Sequence, residues 1–107
     1  MKYPKEYLDE IKTRLKVSTV VSKTVNLKKR GKEYVGLSPF KTEKTPSFTV
    51  NDEKEFYYCF STGEHGNIFN FVMKTQNLKF GEAVKTLANL AGMRPYTFTK
   101  QDEEREK

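Results

Sequence analysis

Apolar residues recur along the chain at two periods, and the change of period divides it into three stretches. Leu8, Ile11 and Leu15 fall at i, i+3 and i+7, one face of a helix that opens at Pro4. A short second helix is predicted over residues 18–22, with Val17, Val20 and Val21 facing inward. The pattern then shortens to strand alternation. Residues 25–29 and 32–37 flank Arg30-Gly31, which reads as a tight hairpin turn with Gly31 supplying a positive φ. Residues 38–46 read as a loop. Residues 47–51 and 55–60 form a second hairpin about a turn at 51–54, and Gly63 to Gly66 reads as a further turn. Helical spacing returns after Asn67, a suitable N-cap for a helix over 68–75. Phe80, Ala83, Val84, Leu87 and Ala91 define a last helix, closed by Gly92 at its C′ position with Pro95 beyond. The fold class is α+β: a small antiparallel sheet flanked by N-terminal and C-terminal helices. Residues 1–96 are expected to form the domain and 97–107 a polar tail or the start of a linker.

Alternation sorts the second hairpin into faces. Phe56, Tyr58 and Phe60 point one way; Tyr57 and Cys59 point the other. Phe48, Phe56 and Phe60 are expected in the core. Tyr34, Tyr57 and Tyr58 carry hydroxyls that tolerate water, and are the candidates for stacking on a ligand ring.

Charge narrows the classes of partner. The first 50 residues hold 12 Lys and Arg against 5 Asp and Glu, and the remaining 57 hold 8 against 9. Lys28, Lys29, Arg30, Lys32 and Lys44 crowd the first hairpin and the loop after it. Clustered cations beside aromatic rings are how single-stranded nucleic acid is held, with phosphates on Lys and Arg and bases on rings. The alternative is a solvated basic hairpin. One cysteine, Cys59, makes no internal disulfide, and with one histidine, His65, it falls short of the four N or S ligands of a structural zinc site. No apolar run approaches a membrane span, the N-terminus lacks the apolar stretch of a signal peptide, and the chain reads as cytoplasmic with no membrane partner. Catalysis is poorly supported. There is no Gly-rich phosphate loop, Asp52-Glu53 reads as solvated in a turn, and Asp102-Glu103-Glu104 as a solvated tail.

Two strings carry a resemblance. One runs Ser38-Pro39-Phe40-Lys41-Thr42, then Glu43-Lys44-Thr45-Pro46-Ser47-Phe48; the other runs from Phe56 through Cys59 and Gly63 to Asn67. Together, at this spacing, they resemble the N-terminal zinc-binding domain of bacterial DnaG-type DNA primases, a Cys-His-Cys-Cys zinc ribbon. The resemblance implies that the family's four ligand positions fall on Ser38, Lys41, Cys59 and Thr62, of which only Cys59 is a ligand type. The expectation is therefore a zinc ribbon without its zinc, and no cofactor. Lys41 either turns its ammonium into the old metal position or reaches solvent; the cost of burying an ammonium favours solvent.

The resemblance further implies a template-binding domain of a primase, a nucleotidyltransferase that makes primer RNA for replication and has its polymerase centre in a separate domain. This chain itself would carry no catalytic centre. Its partners would be single-stranded DNA, with Lys28, Lys29, Arg30, Lys32, Tyr34, Lys44, Tyr57 and Tyr58 as candidate contacts, the polymerase domain of the same or another chain, and the replicative helicase. The alternative is a zinc-less structural module that docks on the polymerase domain or helicase.

Overall fold

The computed structural model describes residues 2–98. Its elements are α1 (Lys5–Arg14), α2 (Val17–Val21), β1 (Lys28–Arg30), β2 (Glu33–Gly36), β3 (Phe48–Asn51), β4 (Phe56–Cys59), β5 (His65–Gly66), α3 (Ile68–Gln76) and α4 (Phe80–Leu90). The strands form one antiparallel meander in the order β1-β2-β3-β4-β5. The architecture is α+β, as the periodicities predict. No helix among the described residues is long and apolar enough to cross a membrane.

Local chemistry explains most element ends. The backbone N–H and hydroxyl of Ser18, in the first turn of α2, donate to Asp52 at 2.9 and 2.6 Å. Asp52 lies in the β3–β4 turn, so an acid expected to be solvated instead ties the helices to the sheet. Arg30 pairs with Glu33, which places the first turn on Gly31-Lys32, one residue later than expected; Gly31 sits at φ +64°. Asn67 caps α3 as expected. Its side chain accepts from the N–H groups of Phe69 and Asn70, while Asn70 accepts from Asn67 N–H, a reciprocal capping box. His65-Gly66, expected to be a turn, instead pairs with Tyr57 and Tyr58 as a fifth strand.

The core lies between the inner face of the sheet and the helices. Phe48, Val50, Tyr57 and Cys59 of the sheet meet Val20, Val21, Phe71, Val72 and Leu87, all fully or almost fully buried. Phe48 and Tyr57 stack at 5.4 Å between ring centroids, and Phe71 meets Tyr57 edge-on at 5.5 Å. This corrects the assignment of β4. Its alternation is as expected, but the core takes the other face: Tyr57 is completely buried, Phe56 is half-buried, and Phe60 is 71% exposed. The cause is the packing of Phe71 of α3 and Phe40 against the Tyr57 ring. Apolar area outweighs the one hydroxyl. That hydroxyl has no hydrogen-bond partner among the described residues, nor has Oε2 of Glu64. Burial, with the Glu64 charge adding to it, pushes the Tyr57 phenol up to about 12.

Beyond α4, Gly92 adopts φ +73° and the chain turns back. Tyr96 and Phe98 then pack against Tyr3 at 5.9 and 5.0 Å. The expected boundary at 96/97 thus falls inside an aromatic cluster, and the rest of the expected tail lies outside the described residues.

Candidate nucleic-acid interface

Residues paired across a sheet share a face. Since Tyr57, Cys59, Phe48 and Val50 face the core, their strand neighbours face away from it. The pairs Lys28–Val35, Val35–Thr49, Thr49–Tyr58 and Tyr58–His65 therefore form one row across the outer face. Tyr58 is half-buried and stacks on the His65 ring at 5.7 Å with an interplanar angle of 17°. Phe60 lies 4.8 Å from Tyr58. A continuous ring surface of Phe60, Tyr58 and His65 thus stands on the side of the sheet facing away from the core, with Lys28 at the far end of the same row. Arg30, two residues along β1 from Lys28, shares this face.

The expected contact residues separate into groups. Lys28, Arg30 and Tyr58 share the outer face. Lys44 meets Lys28 across a groove of about 530 Å³ floored by Val35, Leu37 and Pro46. Lys32 is exposed in the β1–β2 turn. Lys29 pairs with Tyr34, and both lie on the core-side face, where Tyr34 is half-buried against the core. Tyr34 and Tyr58 cannot belong to one platform. Tyr57 is excluded, because a ring with no accessible surface cannot stack on a base. Phe60 and His65, whose rings lie beside Tyr58, were not among the expected contact residues. The signal for Phe60 was its place on the Tyr58 side of the alternation; His65 gave none, since β5 was not foreseen.

The second feature is a knot of hydroxyls between the loop before β3 and the turn after β4. Oε2 of Glu43 accepts the N–H of Ser38 at 2.8 Å and of Ser47 at 3.2 Å, and Oε1 accepts the Ser47 hydroxyl at 2.6 Å. Ser47 Oγ lies 2.9 Å from Ser61 Oγ. The buried Cys59 Sγ lies 3.2 Å from both Ser38 Oγ and Ser61 Oγ. The hydrogen bonds from Ser47 and then Ser38 hold the Glu43 carboxyl below its ordinary value. The native state thus gains stability from this carboxylate above the ordinary carboxylate range and loses it as pH falls through the lowered value. Burial raises the Cys59 thiol, but hydrogen bonds from Ser38, Ser61 and Thr62 outweigh it and bring the thiol down to about 6. Lys41 is exposed, as the cost of burying its ammonium favours.

An antiparallel meander with helices on one face, its loop before β3 bonded to the turn after β4, is the arrangement of a zinc-ribbon type of domain. The CHC2 zinc finger family matches residues 3–104, and the chain belongs to that family. It is 51% identical over 90 residues to the DNA primase of Pseudomonas putida KT2440, covering 84% of this chain and 14% of that protein. It is 44% identical over 94 residues to the DNA primase of Haemophilus influenzae Rd, covering 87% of this chain and 16% of that protein. The chain therefore spans only about one-seventh of the length of the curated relatives it matches. A crystal structure of the zinc-binding and RNA polymerase domains of Aquifex aeolicus primase superposes with a TM-score of 0.78 at 29% identity, over 91% of this chain and 25% of that one.

The residues at the family's ligand positions do not fit zinc. Structural zinc takes four thiolate, imidazole or carboxylate donors. Here the Cys59 thiol meets the Ser38 hydroxyl, the Thr62 position carries another hydroxyl, and the Lys41 position is an exposed lysine. No group of three His, Cys, Asp or Glu among the described residues could hold a metal ion.

Proposed function

We propose that this domain binds single-stranded template DNA for a primase, a nucleotidyltransferase that makes primer RNA in the cytoplasm, that it helps select where the primer starts, and that it does so without zinc. Its partners are the single strand and the polymerase domain. The observation that carries the reading is the outer sheet face: Phe60, Tyr58 and His65 form a bare ring surface in line with Lys28. Rings take the bases and the cations take the phosphates.

Titration of a labelled oligonucleotide at several salt concentrations tests it. Each phosphate contact on a single strand contributes about −0.7 to the slope of log K against log salt. Neutralising Lys28, Arg30, Lys32 and Lys44 together should flatten the slope by about 2 to 3, on the same scale. Neutralising Lys74 and Lys85, exposed on the helices, should leave it unchanged. Equal effects from the two sets would reduce the binding to nonspecific attraction. No salt-dependent binding at all would favour a module that docks on the polymerase domain or the helicase.

The ring surface is tested separately. Phe60→Ala should weaken single-strand binding by about 1–3 kcal/mol, the usual contribution of one base stacked on an aromatic side chain. Its melting temperature should stay near that of the wild type, because the ring is 71% exposed. Undiminished affinity would remove Phe60 from the site.

A further inference from the structure

A zinc ion in a ribbon does one mechanical job: it ties the loop bearing the first two ligands to the turn bearing the second two. In this chain the same two segments are tied by other means. Ser38, at the first ligand position, meets Cys59, at the third, at 3.2 Å. Ser47, at the end of the same loop, meets Ser61, beside the fourth position, at 2.9 Å. Both links converge on one carboxylate. Glu43 accepts the Ser38 N–H, the Ser47 N–H and the Ser47 hydroxyl, so it closes the loop on itself and orients both serines toward the β4 turn. Hydrogen bonds to an ionised carboxylate are shorter and roughly twice as strong as neutral ones.

We propose that Glu43, with Ser38, Ser47, Ser61 and Cys59, forms a hydrogen-bonded staple that stands in for the metal and fixes the loop preceding β3 to the turn following β4. The inference rests on the zinc-free reading above. The loop and the turn are joined directly through Ser38–Cys59 and Ser47–Ser61, and the Glu43 anion holds the loop side of both links in place. Serine serves at position 38 because its hydroxyl both accepts from Phe40 N–H, at 3.0 Å, and reaches the Cys59 sulfur. The stability of the ribbon then depends on a carboxylate and not on metal supply.

The experiment compares the wild-type chain, Glu43→Gln and Glu53→Gln, the last an exposed turn residue. Metal content is measured after purification without chelator, and melting temperature with and without EDTA. The wild type should hold no stoichiometric zinc and melt alike in EDTA. Glu43→Gln should melt lower by on the order of 5–10 °C, and Glu53→Gln with the wild type. Amide hydrogen exchange on the wild type supplies a readout that does not depend on the variant folding. The Ser38 and Ser47 amides should exchange about tenfold or more slowly relative to Thr42 and Thr45 in the same loop. One zinc per chain would overturn the zinc-free reading and the staple with it. A metal-free chain in which Glu43→Gln melts with the wild type, or in which Ser38 and Ser47 exchange as fast as Thr42, would overturn the staple alone.

Discussion

Tyr57→Ala should cost the domain about 3–5 kcal/mol, the usual loss when a large buried aromatic is cut to alanine. In a domain of this size that lowers the melting temperature by on the order of 20 °C. The ring has no accessible surface and touches Phe48, Phe71 and Phe40, so no neighbour can fill the space without moving the sheet against α3. Thermal unfolding followed by circular dichroism checks it. Tyr57→Phe is the informative companion. It keeps the ring and removes a hydroxyl that is buried without a partner among the described residues, so it should hold or raise the melting temperature. A mild effect of Tyr57→Ala would mean that the face of β4 has been misassigned.

The other large effect is a gain. Ser38→Cys, Lys41→His and Thr62→Cys together restore a thiolate–imidazole donor set around Cys59. Ser38 Oγ already lies 3.2 Å from the Cys59 sulfur, and Thr62 stands three residues beyond Cys59 in the turn that follows β4. The triple variant should take up one zinc per chain, with an apparent binding free energy in the range of about 10–16 kcal/mol typical of small structural sites near neutral pH. Elemental analysis, and the visible absorption of a cobalt-substituted sample, would report it. EDTA should then lower the melting temperature of the variant and not of the wild type. Failure to bind metal would mean that the loop and turn have drifted from the geometry a tetrahedral ion requires.

The helices were legible because their apolar residues repeat at helical spacing and their ends carry recognisable stops. Ile11 and Leu15 of the α1 stretch and Ala83, Val84 and Leu87 of α4 are buried as the spacing demands, and Asn67 caps α3. The sheet was legible in order and in alternation but not in sidedness. Residues 56–60 place large rings on both faces, so hydrophobicity cannot rank one above the other. The ranking comes from Phe71, which reaches Tyr57 only after α3 has folded back over β4. The two-residue β5 was invisible because His65-Gly66 has no strand propensity of its own; its ladder to Tyr57 and Tyr58 forms it. The loss of zinc-ligand types at Ser38, Lys41 and Thr62 could be read directly. The hydrogen bonds of Glu43 could not, since Ser47 and Ser38 lie four and five residues away and meet it only in the folded loop.

Among the described residues the meander leaves two strands, β1 and β5, with one side unpaired. An open edge is a template on which a second molecule can add its own strand, and in an all-antiparallel sheet with a bare aromatic face the resulting stack would grow in two directions. Both edges are guarded by brevity, β1 being three residues long and β5 two. β1 is guarded a second time by composition, since Lys28, Lys29 and Arg30 are its whole length and all are exposed. Two copies brought edge to edge would set six like charges against one another. The cations proposed to meet phosphate would thus also oppose edge-to-edge pairing of two copies, a second consequence of the same charges.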